Sequence, residues 1–486
     1  MYLGLDLGTS GLKALLIADD QSVVGTVTQP IATQRPHSGW VEQDPQNWIT
    51  AATSALDGLK VQHPAALAAV RGIGLAGHMH GATLLDARHK VLRPCMLWND
   101  TRSHQQAAAL DSDPQFRATT GNIVFPGFTA PKLAWVRSHE PEVFAKTDKV
   151  LLPKDYLRLW LTGELFCDMS DASGTSWLDV GARDWSDDLL DATQLTRAHM
   201  PKLVEGTQAA GQLRPDLAQR WGMAAPIVAG GAGDNAAAAI GLGIAQPGQS
   251  FVSLGTSGVL FAPTPQYQPR AASAVHTFCH AIPDLWHQMG VMLSATDALN
   301  WWANLCEASA QDLTSALGDR LQPASDATFL PYLAGERTPH NDAKVRGAFI
   351  GLDHQHDRAQ LTQAVLEGVA YALRDNLHAM QQAGTQIDRV LAVGGGSASH
   401  YWLQMIATVL NIPVDLPQDG ALGAAFGAAR LAMIATQQGS VEQVCRTPEI
   451  ARQFVPDQTL MPGYEAGYQR FVGLYPLVQA GPKLSA

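Results

Sequence analysis

The chain begins with three apolar segments that are separated by short polar turns. Residues 2–7, 12–18 and 22–29 are rich in aliphatic and β-branched side chains, and apolar runs of this length between turn residues are typical of strands. The first turn, at 8–11, reads GTSG, and the second contains two aspartates. The pattern predicts an antiparallel meander of three strands.

Helical periodicity dominates much of the rest of the chain. Asp44 and Pro45 form an N-cap followed by proline at the first helical position, which predicts a helix through about residue 60. Apolar residues recur with helical spacing between 357 and 383, which predicts a long buried helix. Residues 104–225 are predicted to form mostly helices and loops, which we expect to line a pocket. The small residues at 421–435 predict a closely packed helix.

A strand, a glycine turn and a helix start follow one another at residues 226–241. The apolar run 226–229 leads into the turn GGAG and then into Asp234, Asn235 and four alanines, and alanine is the best helix former. A lone carboxylate at this place can be a helix N-cap. Alternatively, it can accept the proton of an alcohol during phosphoryl transfer, and the two roles are compatible.

The tetrapeptide GTSG occurs twice, at 8–11 and at 255–258, each time between two apolar segments. Such a turn offers unobstructed backbone N–H groups and two hydroxyls, which together can cradle a phosphate. A single copy would favour an ordinary hairpin turn, because turns rich in glycine and serine are common. Two copies favour a duplicated domain with one phosphate loop from each half.

Each of the two charged side chains beside the first turn has two possible roles. Asp6 lies in an otherwise apolar strand, where an unpaired carboxylate is costly; it either caps the turn or binds Mg²⁺ beside the phosphates. Lys13 either neutralises phosphate charge or is an ordinary surface lysine.

Polar side chains also follow two further predicted strands. Met79 and His80 come after the strand at 71–76, where they either contact a substrate or are structural. Trp98 and Asp100 end another apolar segment, and they form either a sugar-binding pair or core packing with a cap. No further ligands at a suitable spacing accompany the histidines, so zinc is not predicted.

These motifs together resemble the FGGY family of carbohydrate kinases over essentially the whole chain. The matching segments are LGLDLGTSGLK (3–13), AGHMHGATLLD (76–86), LWNDTR (97–102), GFTAPKLAWV (127–136), LLPKDYLRLWLTGE (151–164), DMSDASGT (168–175), AGDNAAAAIG (232–241), SLGTSGV (253–259), LAGERTPHND (333–342) and VGGGSA (393–398). The resemblance implies an α/β fold of two ribonuclease-H-like domains, as in actin, hexokinase and Hsp70, with a cleft between them that closes on ATP, Mg²⁺ and a small-molecule sugar.

The resemblance also implies roles for individual residues. It makes Asp234 the catalytic base and Asp6 the metal-associated acid. Sugar contacts fall on Met79, His80, Asp234 and Asn235; ATP contacts fall on Thr9, Ser10 and Lys13, on Thr256 and Ser257, and on Gly395 and Gly396. We add Asn300 and His400 as expected nucleotide contacts. Two departures from the family pattern are the turn GGAGD, which is one residue longer than expected, and His400, which stands where several relatives have asparagine.

The break at residues 246–248, Gln-Pro-Gly, predicts a domain boundary. We expect an N-terminal domain, 1–245, that carries the sugar site and the catalytic aspartate, and a C-terminal domain, 246–486, that binds the nucleotide. The loop 330–341 contains Glu336 and Arg337, for which we predict an internal ion pair rather than a catalytic role. A Rossmann fold is excluded because the glycine motif at 394–399 is not GxGxxG.

Composition narrows the class of protein further. The 486 residues are 46% hydrophobic and 16% charged, with a net charge of −11, which is typical of a globular enzyme and argues against nucleic acid or anionic membrane as the partner. Five scattered cysteines predict no disulfide framework, and neither a signal peptide nor a membrane span is predicted. We therefore expect a cytoplasmic protein, and the sequence leaves open whether it forms a homodimer.

The expected activity is ATP-dependent phosphorylation of a small sugar. Within this class, the alternative is a kinase for another ketose or a polyol. From another class, the alternative is a nucleotide-gated binding protein similar to actin or an Hsp70 chaperone, which would lack a sugar site and a base placed like Asp234.

Overall fold

The N-terminal half of the chain builds a mixed sheet, here called sheet 1. The structure is a computed structural model that describes residues 1–418 and 423–479. Across sheet 1 the strands follow the order Ala209–Gln212, Ile227–Ala229, Gly72–Gly77, Tyr2–Leu7, Gly11–Ile17 and Val23–Pro30, with Ala232–Gly233 also paired to Gly72–Gly77. Among the last three strands in this order, each is antiparallel to its neighbour, which confirms the predicted meander.

The C-terminal half builds sheet 2, which contains a second glycine-hydroxyl hairpin. Its strands follow the order His276–Cys279, Trp286–Met292, Gly258–Thr264, Phe251–Leu254, Val390–Val393, Val414–Pro417 and Ile450–Phe454. Shorter strand pairs are Glu42–Gln43 with Cys95–Met96, Thr83–Leu85 with Lys149–Leu151, Phe166–Asp168 with Lys202–Val204, Leu178–Asp179 with Asp184–Trp185, and Thr328–Leu330 with Ala348–Ile350. The fold class is therefore α/β, as predicted.

Helices cover both sheets. In the first half they are Pro45–Gln62, Pro64–Ala68, His104–Asp111, Pro114–Thr120, Thr129–His139, Pro141–Lys146, Pro153–Thr162, Met169–Ala172, Asp187–Ala192, Pro215–Trp221 and Asp234–Gly241. In the second half they are Thr296–Leu305, Ala310–Ser315, Arg358–Gln382, His400–Leu410, Ala424–Ala435, Val441–Val444 and Met461–Gln479. Single 3₁₀ turns occupy Ser173–Thr175, Arg197–His199, Ala271–Ser273 and Gly395–Ala398.

Two of the predicted helices have the caps that their sequences indicate. The Asp44 carboxylate accepts a hydrogen bond from the backbone N–H of Gln46, and proline follows it at the first helical position. Asp357 and Gln360 form a reciprocal capping box at the start of the long buried helix. Such caps satisfy backbone donors that have no partner inside the helix.

Each sheet has its own apolar core. Leu3, Leu5 and Leu7 alternate along the first strand and are fully buried, together with Trp48 from the helix that covers them. Burial of a leucine side chain contributes about 1.5–3 kcal/mol. A second cluster surrounds the long helix Arg358–Gln382 under sheet 2, so the two halves can each bury a core.

The helix Ala424–Ala435 crosses back from the C-terminal half and packs on sheet 1. It does so at very close range: a Cβ atom on Gly4 would lie 1.8 Å from the carbonyl oxygen of Ala425, and one on Gly74 would lie 1.7 Å from that of Ala428. Glycine is therefore required at both strand positions. The predicted helix at 421–435 began earlier, and its residues 421 and 422 lie outside the described residues.

Within the described ranges, no helix combines the length and the apolar character that are needed to cross a membrane.

Candidate active site

Three parallel strands of sheet 1 end at the same level, and the candidate site lies at this edge of the sheet. Asp6 is the register partner of Ala76, and Ala76 is the partner of Ala232. One residue further along, the strands end at Leu7, Gly77 and Gly233. The residues that follow each strand therefore meet at one edge of the sheet.

Asp234 is the first residue of the helix Asp234–Gly241, immediately after this edge. Gly233 is the N-cap, so Asp234 does not occupy the N-cap position that one reading predicted. Its Oδ1 accepts hydrogen bonds from the backbone N–H of Asn235, at 2.7 Å, and from the Asn235 side-chain amide, at 3.0 Å. Among residues 1–418 and 423–479, no group donates a hydrogen bond to its other carboxylate oxygen.

Burial makes both aspartates at this edge more basic than usual. Loss of solvation raises the pKa of Asp234 to about 6, against the opposing hydrogen bonds of Asn235. Loss of solvation and the charge of Asp234 together raise the pKa of Asp6 to about 7, which Lys13 counteracts. Lys13 is the register partner of Asp6 on the next strand. The two carboxylates therefore lie close enough to repel one another.

Met79 and His80 follow the middle of the three strands. His80 has a positive φ of 70°, which is uncommon outside glycine. Its ring stacks on Phe128 with centroids 4.5 Å apart, and its Nδ1 lies 2.8 Å from the carbonyl oxygen of Gly174. Because a carbonyl only accepts, Nδ1 carries the proton, and Nε2 of the neutral ring keeps its lone pair. His80 is neutral because burial lowers its pKa to about 3.

The structure separates the predicted pair Trp98 and Asp100. Trp98 is 43% exposed, and its indole N–H donates to Oγ of Thr9 at 3.0 Å, so it lies against the first GTSG turn. Asp100 is fully buried. Its carboxylate accepts from the guanidinium of Arg102 at 2.6–3.0 Å and from the backbone N–H of Val41. This position corrects the prediction that Asp100 contacts a substrate, because its oxygens already serve the internal pair with Arg102.

Both GTSG segments form the tips of strand hairpins, as the sequence predicted. In the first, the N–H of Gly8 donates to the carbonyl of Gly11 at 3.0 Å, and Ser10 is exposed. In the second, Thr256 is exposed, while its carbonyl accepts from Ala295 at 2.8 Å. Ser257 follows it, half-buried. The second tip is thereby tied to the start of the helix Thr296–Leu305.

A cavity of about 640 Å³ lies beside sheet 2. Its lining includes four predicted nucleotide contacts that lie outside the GTSG turns, namely Asn300, Gly395, Gly396 and His400. The His400 ring also faces Arg452, with Nδ1 and Nη1 3.1 Å apart. The short helix Ala310–Ser315 forms the opposite wall, which sequence reasoning missed because this helix carries no recognisable motif.

The predicted ion pair between Glu336 and Arg337 is wrong. Among the described residues, Glu336 makes no salt bridge; its Oε1 accepts from the backbone N–H groups of Leu293 and Arg337. The Arg337 guanidinium instead lies over the ring of Phe125, 4.7 Å from its centre. The two adjacent side chains therefore point in different directions, which no pattern in the sequence indicates.

Comparisons with known proteins agree over nearly the whole chain. The model of the FGGY family of carbohydrate kinases, N-terminal domain, matches residues 1–241, and the model of its C-terminal domain matches residues 250–436. A xylulose kinase of Escherichia coli is 48% identical, with 98% of each chain covered, and one of Klebsiella pneumoniae is 50% identical, with 90% of each covered. A crystal structure of a xyloylose kinase from Brucella ovis superposes with a TM-score of 0.98 at 60% identity, covering 99% of both chains.

Proposed function

The chain belongs to the FGGY family of carbohydrate kinases, and on this premise we propose that it is a xylulokinase. The reaction transfers the γ-phosphoryl group of ATP to D-xylulose and gives D-xylulose 5-phosphate and ADP. The main support for this function is the similarity to xylulose kinases over 90–98% of the chain. The same chain brings Asp6, His80 and Asp234 to one sheet edge. The product feeds xylose catabolism into the pentose phosphate pathway.

Asp234 is the general base of this mechanism. As the oxygen of the terminal sugar hydroxyl bonds to the γ-phosphorus, the bond from that phosphorus to ADP breaks and Asp234 takes the hydroxyl proton. A pKa of about 6 leaves the carboxylate ionised at neutral pH while it remains more basic than an exposed aspartate. Asn235 fixes its orientation through two hydrogen bonds.

His80 and Met79 hold the sugar. The Nε2 lone pair of His80 accepts a hydrogen bond from a sugar hydroxyl, since Nδ1 already donates to Gly174. Met79 is buried and lies against Gly233, next to the base, where its thioether packs on an apolar face of the sugar chain. Trp98 borders the same edge through Thr9.

The adenosine of ATP binds in the cavity beside sheet 2, and its phosphates bind at the two GTSG turns. Asn300, Gly395, Gly396 and His400 line the cavity for the adenosine. Thr9, Ser10, Thr256 and Ser257 supply phosphate donors, and Lys13 supplies positive charge. Since phosphoryl transfer has a loose transition state, positioning and charge neutralisation provide most of the rate.

Asp6 fits a role as the Mg²⁺-associated carboxylate. Among the described residues, no side chain or backbone group donates a hydrogen bond to the Asp6 carboxylate. The negative charge of Asp234 also disfavours ionisation of Asp6. A buried carboxylate whose charge Lys13 offsets only in part suits a hard cation, directly or through water. Bound there, Mg²⁺ would neutralise charge on the β- and γ-phosphates.

We assign the sugar site to residues 1–245 and the nucleotide site to residues 246–486. Substitutions of Met79 or His80 should then change the KM for sugar, and substitution of Asn300 the KM for ATP, while Thr9, Ser10 and Lys13 reach the phosphates from the first range. We also place the enzyme in the cytoplasm, where ATP is available; recovery of the native protein in the periplasmic fraction would contradict this location.

The test is ADP release measured over a panel of pentuloses, hexuloses and polyols. We expect kcat/KM to be highest with D-xylulose and no ADP release without a sugar. A higher kcat/KM with another ketose or with glycerol would assign a different kinase of the family. ATP binding without sugar-dependent ADP release would indicate a nucleotide-gated binding protein instead.

A further inference from the structure

A buried ionic cluster lies beneath the turn that carries Asp234. The ammonium of Lys154 lies 2.6 Å from Asp155, 2.7 Å from Asp168 and 3.4 Å from Asp171. All four side chains are fully buried. The proposed mechanism uses none of them, although one ammonium among three carboxylates is an expensive arrangement to bury.

The cluster reaches the catalytic turn through Ser170. Its hydroxyl donates to Oδ1 of Asp168 at 2.5 Å and accepts a hydrogen bond from the backbone N–H of Gly233 at 3.1 Å. Gly233 is the residue immediately before Asp234. Ser170 therefore joins the buried charges directly to the start of the helix on which the base is held.

Arg158 reaches the other end of the same turn. It is fully buried one helical turn beyond Lys154, and its guanidinium donates to the carbonyl oxygens of Ala229 and Gly230. Residues 229 to 233 are thus held at both ends by side chains from helices that pack against the turn.

We propose that Ser170 and Arg158 are positioning residues for Asp234. This inference rests on the proposed function, in which Asp234 takes the proton of the sugar. The turn contains three glycines, which restrict the backbone least of all residues. A base must nevertheless keep its distance and angle to the hydroxyl within narrow limits. Fixed partners at both ends of the turn supply the rigidity that its own sequence lacks.

Ser173 provides a matched control three residues further along. It is also buried, and like Ser170 it accepts a hydrogen bond from a backbone N–H, that of Cys279 at 3.0 Å. Its hydroxyl donates to the backbone carbonyl of Met169 at 2.8 Å, whereas that of Ser170 donates to a carboxylate. The two serines differ in the element that they anchor. Loss of either hydroxyl should destabilise the protein, and more so for Ser170, whose hydroxyl also bonds a buried carboxylate, whereas only loss of Ser170 should loosen the catalytic turn.

The experiment compares Ser170→Ala with Ser173→Ala by steady-state kinetics, thermal unfolding and hydrogen–deuterium exchange of the peptide that spans residues 229–241. We expect Tm to fall in both variants, and further in Ser170→Ala. For Ser170→Ala alone, we expect a drop in kcat of about 10- to 100-fold, a KM for ATP within about twofold of wild type, and faster exchange of the peptide.

Equal losses of kcat in both variants, or an unchanged kcat with unchanged exchange in Ser170→Ala, would overturn the proposal. If Ser170→Ala does not fold, Arg158→Lys decides: it keeps the charge but cannot reach both carbonyls, and it should show the same loss of kcat and faster exchange. Failure of the proposed function is separate, because the wild-type protein would then release no ADP with D-xylulose, while exchange would still report on the turn.

Discussion

The ammonium of Lys132 lies 2.8 Å from the carbonyl oxygen of His80 and 2.6 Å from that of Gly127. Lys132 is fully buried on the helix Thr129–His139, and burial lowers its pKa to about 7. The left-handed backbone at His80 is costly for a residue with a side chain. Lys132 therefore holds in place the conformation that turns His80 toward the proposed sugar site.

Replacing Lys132 by methionine should weaken sugar binding. The Gly127 carbonyl loses the Lys132 ammonium, and the His80 carbonyl is left with the Thr129 hydroxyl at 3.2 Å. This loss costs about 1–3 kcal/mol, and the His80 loop can relax. We expect the KM for D-xylulose to rise about 5- to 150-fold, with little change in the KM for ATP. Lys149→Met is the control, because Lys149 also donates to a carbonyl, that of Ala198, at the surface. Equal effects of the two substitutions would refute a specific role for Lys132.

Replacing His80 by alanine should raise the KM for D-xylulose by a similar factor, because a buried hydrogen bond to the sugar is lost. The effect should not change between pH 5 and pH 9, since burial keeps the pKa of His80 near 3. His139→Ala is a matched control: its ring stacks on Trp135 at 4.5 Å, and its Nδ1 also faces a carbonyl. A sugar KM that stays at the wild-type value would remove His80 from the sugar site.

Replacing Asn300 by alanine should affect the nucleotide and spare the sugar. Asn300 lines the cavity of sheet 2, and loss of one hydrogen bond at such a site raises the KM for ATP about 2- to 12-fold. Asn304→Ala, one turn further on the same helix and outside the cavity lining, should change neither constant. A change in the KM for sugar alone would contradict the division of the two sites.

Local sequence patterns were sufficient to place Asp6, His80 and Asp234 at or just beyond the ends of strands, because the apolar pattern of each strand is visible in a few residues. The side chains that hold these residues could not be found in the same way. Lys132 lies 52 residues from His80, and Ser170 lies 63 residues from Gly233. Such pairs depend on how the helices pack, which periodicity does not describe.

The misassigned residues have physical explanations as well. Arg102 stands two residues after Asp100, and this spacing is the one signal in the sequence that favoured an internal pair over a substrate contact. The return of the helix Ala424–Ala435 to sheet 1 was also not predicted. Its small residues indicated close packing, but the partners Gly4 and Gly74 lie in the other half of the chain.

Asp234→Asn should make the folded protein more stable at pH 8. The folded-state pKa of Asp234 is raised from the usual 3.8 to about 6. Above pH 6 the aspartate is ionised, and its buried charge lowers the free energy of unfolding. Asparagine carries no charge and does not have this cost. Allowing for partial solvent contact, we expect a gain of up to about 2 kcal/mol. The gain should disappear toward pH 4, where the aspartate is protonated.

Urea unfolding at pH 8 and pH 4 measures this gain, with the exposed Asp191→Asn as the control. A loss of stability at pH 8, or a gain of the same size at both pH values, would mean that burial does not disfavour the charge of Asp234.

The turnover of Asp234→Asn with D-xylulose and ATP tests the central claim most directly. Asparagine keeps the shape of the side chain but cannot accept the proton, and general-base catalysis is worth about 10²- to 10⁴-fold. We predict that kcat falls by at least about 10²-fold, while calorimetry shows D-xylulose bound with nearly the wild-type Kd. A variant that retains more than about a tenth of the wild-type kcat would contradict the assignment of Asp234 as the base.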